Sequence, residues 1–357
     1  MAYLKFYRNR LQHNYDYLKK LFDEGDIRWG IVTKMLCGNS EMIQEVLNLG
    51  IKEVHDSRLS NLQIAKSLDN NIKTVYIKPP PQKIIPDIVA YCDVSLNSEY
   101  ETIKTLSEEA LRQKKIHGVI IMIEMGDLRE GVMGDDLVDF YERVFELPGI
   151  RVVGLGTNLN CLHGIMPSSD KLVQLSLYKQ IIEAKFNKKI PMVSAGTTVT
   201  IPLLLKKMLP KGVNHFRVGE ALYFGTDLFT GETMEGMRDD VFELYAQVIE
   251  LQEKPMVPMG ELGVNPSGEM ADIDESLYGQ TSYRAIIDVG LLDVKPDYLI
   301  TNHKGAELVG ASSDMLVVDI GQNESDLKVG DMLRFNMAYM GALSLLNSNY
   351  IDTCIED

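Results

Sequence analysis

No apolar run in this chain approaches the roughly 20 residues that a bilayer-crossing helix needs, so no membrane span is expected. Basic blocks are missing as well. With 36 Lys and Arg against 51 Asp and Glu the net charge is −15, which leaves nothing to neutralise a run of phosphates and excludes a nucleic-acid partner. Cysteine is scarce: Cys37, Cys92, Cys161 and Cys354 are scattered without C-x-x-C spacing. They read as reduced thiols, neither a disulfide framework nor a zinc site. The six histidines form no H-E-x-x-H and no close pair along the chain, so no metal site is expected. The start, MAYLKFYRNRLQHNY, lacks the hydrophobic region of a signal peptide, which makes the cytoplasm the expected compartment. Low-complexity linkers and internal repeats are absent, and no G-x-G-x-x-G follows the first apolar run.

What is present is a rhythm. Short apolar runs occur at RWGIVT (28–33), KEVHDS (52–57), KTVYIK (73–78), CDVSLN (92–97), GVIIMIEM (118–125), RVVGLG (151–156), IPMVSA (190–195) and VNHFRV (213–218). Between them lie stretches of helical character such as 40–50, 98–115 and 171–186; in the last, Leu172, Leu175, Leu177, Ile181 and Ile182 approximate one helical face. Eight short strands alternating with helices predict a (β/α)8 TIM barrel, an α/β fold, over residues 1–235. A doubly wound open sheet would alternate too, but the dinucleotide fingerprint is missing. From residue 236 the pattern changes. SYRAIIDVGLL, LVGASSDMLVVDIG and KVGDMLRFNMAYMGAL read as strands, so residues 236–357 form a β-rich C-terminal domain. The alternating YLKFY near the start is a candidate to pair with it.

Functional groups of a barrel collect just after the carboxyl ends of its strands. Lys34 ends the first run, where a lysine is poorly explained by packing and well explained by a Schiff base to a carbonyl or to pyridoxal phosphate. After strand five, Gly126-Asp127-Leu128-Arg129-Glu130-Gly131 brackets an arginine whose fork suits a carboxylate; a solvated turn would explain it equally in isolation. Strand six is followed by Thr157, Asn158 and Asn160. Strand seven leads through Ser194-Ala195-Gly196-Thr197-Thr198 into a helix start that suits a phosphate, though an ordinary Ser/Thr cap has the same look. Strand eight gives Arg217-Val218-Gly219-Glu220. Lysine after strand one and a phosphate cup after strands seven and eight lie side by side when a barrel closes, which points to pyridoxal phosphate.

These residues resemble a family. VTKMLCG around Lys34, MGDLREGV (125–132), GLGTNLNC (154–161), SAGTTVTIP (194–202), RVGEALYFG (217–225), GASSDMLVVDIG (310–321) and RFNMAYMGAL (334–343) are similar, in order, to the pyridoxal-phosphate-dependent alanine racemase family. GDLREG and the SSD triplet look most like its ornithine racemase branch. The resemblance implies that Lys34 carries the cofactor, and that Thr198, its neighbour Thr197 and the N–H groups of Gly219 and Glu220 hold the phosphate, with Tyr339 reaching it from the second domain. It also implies that Arg217 faces the pyridine nitrogen and that Arg129 binds the substrate carboxylate. Ser313 and Asp314 match a segment contributed by a neighbouring subunit, so the expected assembly is a homodimer with shared sites. Three positions depart from typical alanine racemases. A tyrosine is replaced by Gly38, a carbamylated lysine by Met122, and a histidine bracing the pyridine-nitrogen arginine by Asn158.

Racemisation needs a base on each face of the α-carbon. Lys34 serves one. Tyr278, within Leu277-Tyr278-Gly279, is similar to the family's second base, with Tyr283 as the alternative. The resemblance implies a free basic amino acid as substrate, ornithine and then lysine, because GDLREG and SSD occur together with the loss of the tyrosine and lysine of typical alanine racemases; Gly38 would open room for a longer chain. Its ammonium requires an acidic partner, for which Asp127, Glu130 and Asp314 are candidates. An alanine or broad-specificity racemase is the competing enzyme reading. A non-catalytic pyridoxal-phosphate carrier is the competing class, but it would not need residues 236–357.

Overall fold

After a first strand, β1 (Tyr3–Tyr7), and the helix Arg8–Glu24, eight parallel strands close on themselves. They are β2 (Arg28–Val32), β3 (Glu53–Asp56), β4 (Lys73–Tyr76), β5 (Val94–Asn97), β6 (His117–Met122), β7 (Ile150–Gly156), β8 (Val193–Gly196) and β9 (His215–Val218). The computed structural model describes residues 2–264, 268, 270 and 272–357. Strands β3, β5, β6, β8 and β9 are buried along their whole length, as expected of parallel strands covered on both faces. Val75, Val94, Leu96, Ile120, Met122 and Met192 form a buried cluster contributed by neighbouring strands and their ends. Closure is made by β2 against β9, with Gly30 opposite Arg217 and Ile31 opposite Val218.

The helices are fixed by local signals. Leu11, Tyr15, Leu18 and Phe22 recur at helical spacing along Arg8–Glu24 and are buried. Phe22 meets both Trp29 and Phe216 with ring centroids 5.0 Å apart, and burying such a side chain contributes roughly 1.5–3 kcal/mol. The helix Ser40–Asn48 starts where the Asn39 side chain accepts the Met42 N–H, one of the orphan donors of a first turn.

The remaining chain forms its own sheet, from β1 together with β10 (Phe242–Pro255), β11 (Thr281–Ile287), β12 (Leu299–Thr301), β13 (Glu307–Ala311), β14 (Leu316–Asp319), β15 (Met332–Met337) and β16 (Asp352–Glu356). Its order is β12-β15-β10-β11-β14-β13, while β1 pairs antiparallel with β10 and parallel with β16. The stretch whose sequence pattern is mixed, β10, is one long strand in which Phe242, Leu244, Ala246 and Val248 alternate inward. One expectation fails: AYMGAL is not strand but the start of the helix Tyr339–Asn347. Gly341, Ala342 and Leu345 are buried at helical spacing there, and a Cβ on Gly341 would meet the Tyr298 carbonyl oxygen at 2.9 Å.

By contacts, Arg8–Val241 forms one unit and the sheet strands, including Phe242–Glu356, the other. Residues 236–241 thus lie with the barrel, beyond the boundary expected at 235. Asn14 holds them there, donating to the Arg238 carbonyl and accepting the Arg238 N–H, both at 2.8 Å. Among the described residues no helix is long and apolar enough to cross a membrane.

Candidate active site

Lys34 opens a one-turn 3-10 helix directly after β2 and is exposed. The turn is anchored from below by Thr33, whose buried hydroxyl donates to Asp56 at 2.9 Å, and it closes on Cys37 and Gly38, both at positive φ. A Cβ at Gly38 would lie 2.9 Å from Asn61 Oδ1 and 3.5 Å from Ile64. The direction a side chain would take is therefore filled, and Gly38 does not open room for a longer substrate as expected. It is glycine because φ is +84°, a conformation L side chains rarely adopt.

Arg217 is the penultimate residue of β9 and is buried, 4% exposed. Its Nη1 donates to the Ser194 carbonyl at 2.6 Å and to the Ser194 hydroxyl, and its Nη2 donates to the Thr157 carbonyl at 2.8 Å and to Asn158 Oδ1 at 2.7 Å. A guanidinium has five N–H donors. Those contacts use the four terminal ones, so Nε–H is the donor without a protein partner among the described residues. A buried arginine that keeps one donor in reserve fits an acceptor such as a pyridine nitrogen. Burial pulls the guanidinium down to about 10, with the nearby Glu130 opposing, so it remains charged at neutral pH.

Asn158 links this arginine to the β6 loop. Its amide donates to Glu130, which in turn accepts Arg129 Nε and Nη2 as a two-pronged pair. The pair raises the Arg129 guanidinium above its ordinary value. Met122, where typical relatives carry the carbamylated lysine, is wholly buried in the barrel core. Arg129 is oriented instead by the carboxylate next to it in sequence. The loop is folded tightly back: Glu124 N–H donates to the Val132 carbonyl at 3.0 Å, and Glu124 Oε1 accepts the Leu128 N–H at 3.0 Å. Asp127 is buried and accepts the backbone N–H groups of Leu162, His163 and Ile165 at 3.0, 3.1 and 3.4 Å. It staples the β6 loop to the β7 loop; burial opposes its charge, but those bonds hold its carboxyl below the usual value.

At the ends of β8 and β9, Thr197 and Thr200 cap each other's backbone, and Thr198 Oγ1 accepts the Ala221 N–H at 3.0 Å. Gly219 precedes the short helix Glu220–Phe224, and a Cβ there would come within 3.2 Å of Val32. Barrel closure thus sets the Gly219-Glu220 corner against the strand that carries Lys34. Burial raises the Glu220 carboxyl, and the Lys34 ammonium partly offsets the rise. Lys34, Thr198, Gly219, Glu220, Asn158, Arg217 and Arg129 therefore all stand at strand ends of one barrel.

Tyr278, Tyr283, Ser313, Asp314 and Tyr339 belong to the sheet unit. Tyr278 follows a one-turn helix and is 63% exposed, while Tyr283 is half-buried within β11. Ser313 donates to Asp314 at 2.7 Å at the exposed β13–β14 turn, and Leu292 N–H donates to the Ser313 carbonyl at 3.0 Å. Tyr339 begins its helix, half-buried.

Residues 7–227 match the alanine racemase N-terminal domain. The chain belongs to the alanine racemase family. It is 35% identical to the ornithine racemase of Acetoanaerobium sticklandii over 96% of both chains. It is 31% identical to the lysine racemase of Thermotoga maritima over 91% of this chain and 90% of that one. Among solved structures, an alanine racemase from Bartonella henselae with covalently bound pyridoxal phosphate superposes with a TM-score of 0.75 at 17% identity, covering 99% of each chain. That likeness is one of fold. The expected barrel with a β-rich second part, the family and the racemase class all hold. Sequence reasoning missed a group on the far side of Arg217: buried Glu53, His55 and His215 converge in the barrel, although Glu53 and His55 two residues apart form no known motif and His215 is remote in the chain.

Proposed function

We propose that this chain racemises free basic amino acids, ornithine first and lysine second, with pyridoxal phosphate bound at the barrel mouth. The observation that carries the reading is Arg217, whose one uncommitted donor at the floor of the mouth matches a heteroaromatic ring nitrogen. Lys34 would hold the cofactor, Thr197, Thr198, Gly219 and Glu220 its phosphate, with Tyr339 from the sheet unit, and Arg217 its ring nitrogen. Bound pyridoxal phosphate supplies an electron sink for the carbanion left when the α-proton departs. With pyridoxal phosphate bound, Arg217 would leave the ring nitrogen unprotonated, and more of the work would fall to the two bases.

Arg129 orients the substrate through its carboxylate, and Glu130 with Asn158 holds the guanidinium in place. Lys34 Nζ takes or returns the α-proton on one face, and Tyr278 Oη does so on the other; Tyr283 is the second choice, since it lies within a strand. Tyr278, Ser313 and Asp314 are supplied by a second copy, so the working form is a homodimer with shared sites. The two relatives act, by their names, on ornithine and lysine. A buried ammonium without a counter-charge costs several kcal/mol by order of magnitude. Asp127 is committed to backbone N–H groups and Glu130 to Arg129, which leaves Asp314, exposed at its turn, as the carboxylate for the substrate side chain.

The test is a panel of L-amino acids incubated with holoenzyme and resolved by chiral chromatography, alongside borohydride reduction and mapping of the labelled lysine. Ornithine and lysine should racemise and the label should fall on Lys34. Asp314→Ala should lower kcat/KM for ornithine and leave alanine unchanged. A preference for alanine would sink the basic-substrate assignment, and a label on another lysine would sink the site.

A further inference from the structure

Behind Arg217 lies a polar chain that the proton-transfer chemistry does not use. Ser194 Oγ contacts His215 Nδ1 at 2.8 Å, His215 Nε2 contacts Glu53 Oε1 at 2.9 Å, and His55 Nε2 reaches the same oxygen at 2.6 Å. Glu53 Oε2 accepts Lys73 Nζ. His55 and His215 are fully buried with rings 5.6 Å apart, and they flank β2 at Gly30, where a Cβ would lie 2.5 Å from His55 Nε2.

The direction of every bond is determined by the two ends of the chain. A guanidinium can only donate and an ionised carboxylate can only accept, so the Ser194 hydroxyl accepts from Arg217 at one end and Glu53 accepts from His215 Nε2 at the other; His215, kept neutral by burial, leaves Nδ1 to accept the Ser194 hydroxyl proton. His215 then carries its proton on Nε2, which donates to Glu53. Glu53 accepts from both histidines: burial pushes its carboxyl up, but the His215 and His55 hydrogen bonds hold it ionised. Were His215 to carry its proton on Nδ1 instead, its Nε2 would turn a lone pair toward the Glu53 carboxylate 2.9 Å away, and the Ser194 hydroxyl proton would lose His215 as its acceptor.

A metal reading of the trio does not fit these distances. An ion about 2.0–2.1 Å from each of three tetrahedral ligands needs ligand atoms about 3.4 Å apart, whereas the histidine–glutamate contacts are 2.6 and 2.9 Å. Lys73 also already pairs the carboxylate.

We infer that Glu53, His215 and Ser194 are positioning residues: a hydrogen-bond chain of fixed polarity that pins the Nη1 edge of Arg217 and so aims its Nε–H at the ring nitrogen of the cofactor. The inference rests on the proposed cofactor site. It assigns no proton movement to the chain. Asn158 and Thr157 pin the other edge, so the two edges together fix the guanidinium plane.

Two measurements on the full chain test it. With histidine labelled by nitrogen-15, His215 should show the Nε2–H neutral tautomer at neutral pH, with and without pyridoxal phosphate, and added zinc should leave its resonances unmoved. In holoenzyme saturated with cofactor, Ser194→Ala should lower kcat about tenfold or more, the usual worth of a hydrogen bond to a charged group, while KM for ornithine changes less than about twofold. Glu53→Gln keeps the shape at the far end and should lower kcat in the same sense if Ser194→Ala does not fold. The rates are counted per borohydride-reducible cofactor site, because a merely structural role would lower only the active fraction and leave kcat per loaded site unchanged. The inference is overturned by an Nδ1–H or doubly protonated His215, by stoichiometric zinc shifting both histidines, or by unchanged kcat in whichever of the two variants folds. A wild-type chain that racemises no amino acid would end the racemase reading, and the tautomer would still decide the polarity.

Discussion

Acid should destabilise this fold through a third buried histidine, His117 at the start of β6. Its Nε2 contacts the Ser95 hydroxyl at 2.8 Å, which also accepts the Asn97 amide at 3.0 Å; its other nitrogen bonds the Cys92 backbone, so the neutral ring donates from Nδ1 and accepts at Nε2. Burial pushes the imidazole from 6.5 to about 4; Asp93 and a hydrogen bond with the Cys92 backbone oppose this, and Lys115 adds to it. Between those two values the unfolded chain binds a proton that the folded chain refuses. Stability is therefore full above pH 6.5 and falls as pH drops toward 4. At about pH 5 the loss from this one ring is about 2 kcal/mol. His215, likewise lowered to about 4 by burial, adds its own loss, which cancels when wild type is compared with a variant at His117. Urea unfolding followed by circular dichroism at about pH 7.5 and about pH 5 gives the comparison. His117→Gln should lose about 2 kcal/mol less than wild type between the two conditions. Equal losses would refute the reasoning, since the buried ring would then not be the group that resists protonation.

Arg129→Lys replaces a two-pronged fork by a point charge, and should raise KM for the amino acid about tenfold with a smaller change in kcat, read by steady-state kinetics. Gly131→Ala should lower the melting temperature and the activity together: Gly131 has φ +155°, and a Cβ would lie 2.2 Å from the Glu124 backbone nitrogen, a clash that cannot relax and costs about 1–3 kcal/mol. A wild-type melting curve would contradict this. If the proposed shared sites form, Lys34→Ala chains mixed with Tyr278→Phe chains should regain activity through hybrid sites, each with an intact Lys34 from one chain and an intact Tyr278 from the other; no recovery after verified subunit exchange would count against shared sites.

Much of the molecule is written in the order of its residues. Short apolar strands buried on both faces leave an unmistakable periodicity, and the groups that follow them, Lys34, Arg129, Thr198 and Arg217, fall at strand ends because a parallel barrel puts every strand's carboxyl end on one side. Other features are invisible at that level. Asp127 looks like a ligand for a substrate ammonium and is a loop staple, because its partners are backbone N–H groups about thirty-five residues on. Gly38 looks like added room and is a turn whose side-chain space Asn61 already fills. The segment beginning at Tyr339 carries apolar residues that suit strand or helix alike, and packing against Tyr298 decides for helix. The Glu53–His55–His215 group is the clearest case: 162 residues separate Glu53 from His215, and they meet only because β3 and β9 both pair with β2 when the barrel closes. Periodicity records which side of a strand is buried. It does not record which strand lies alongside, and that neighbour relation alone sets the polarity of the bonds that reach Arg217.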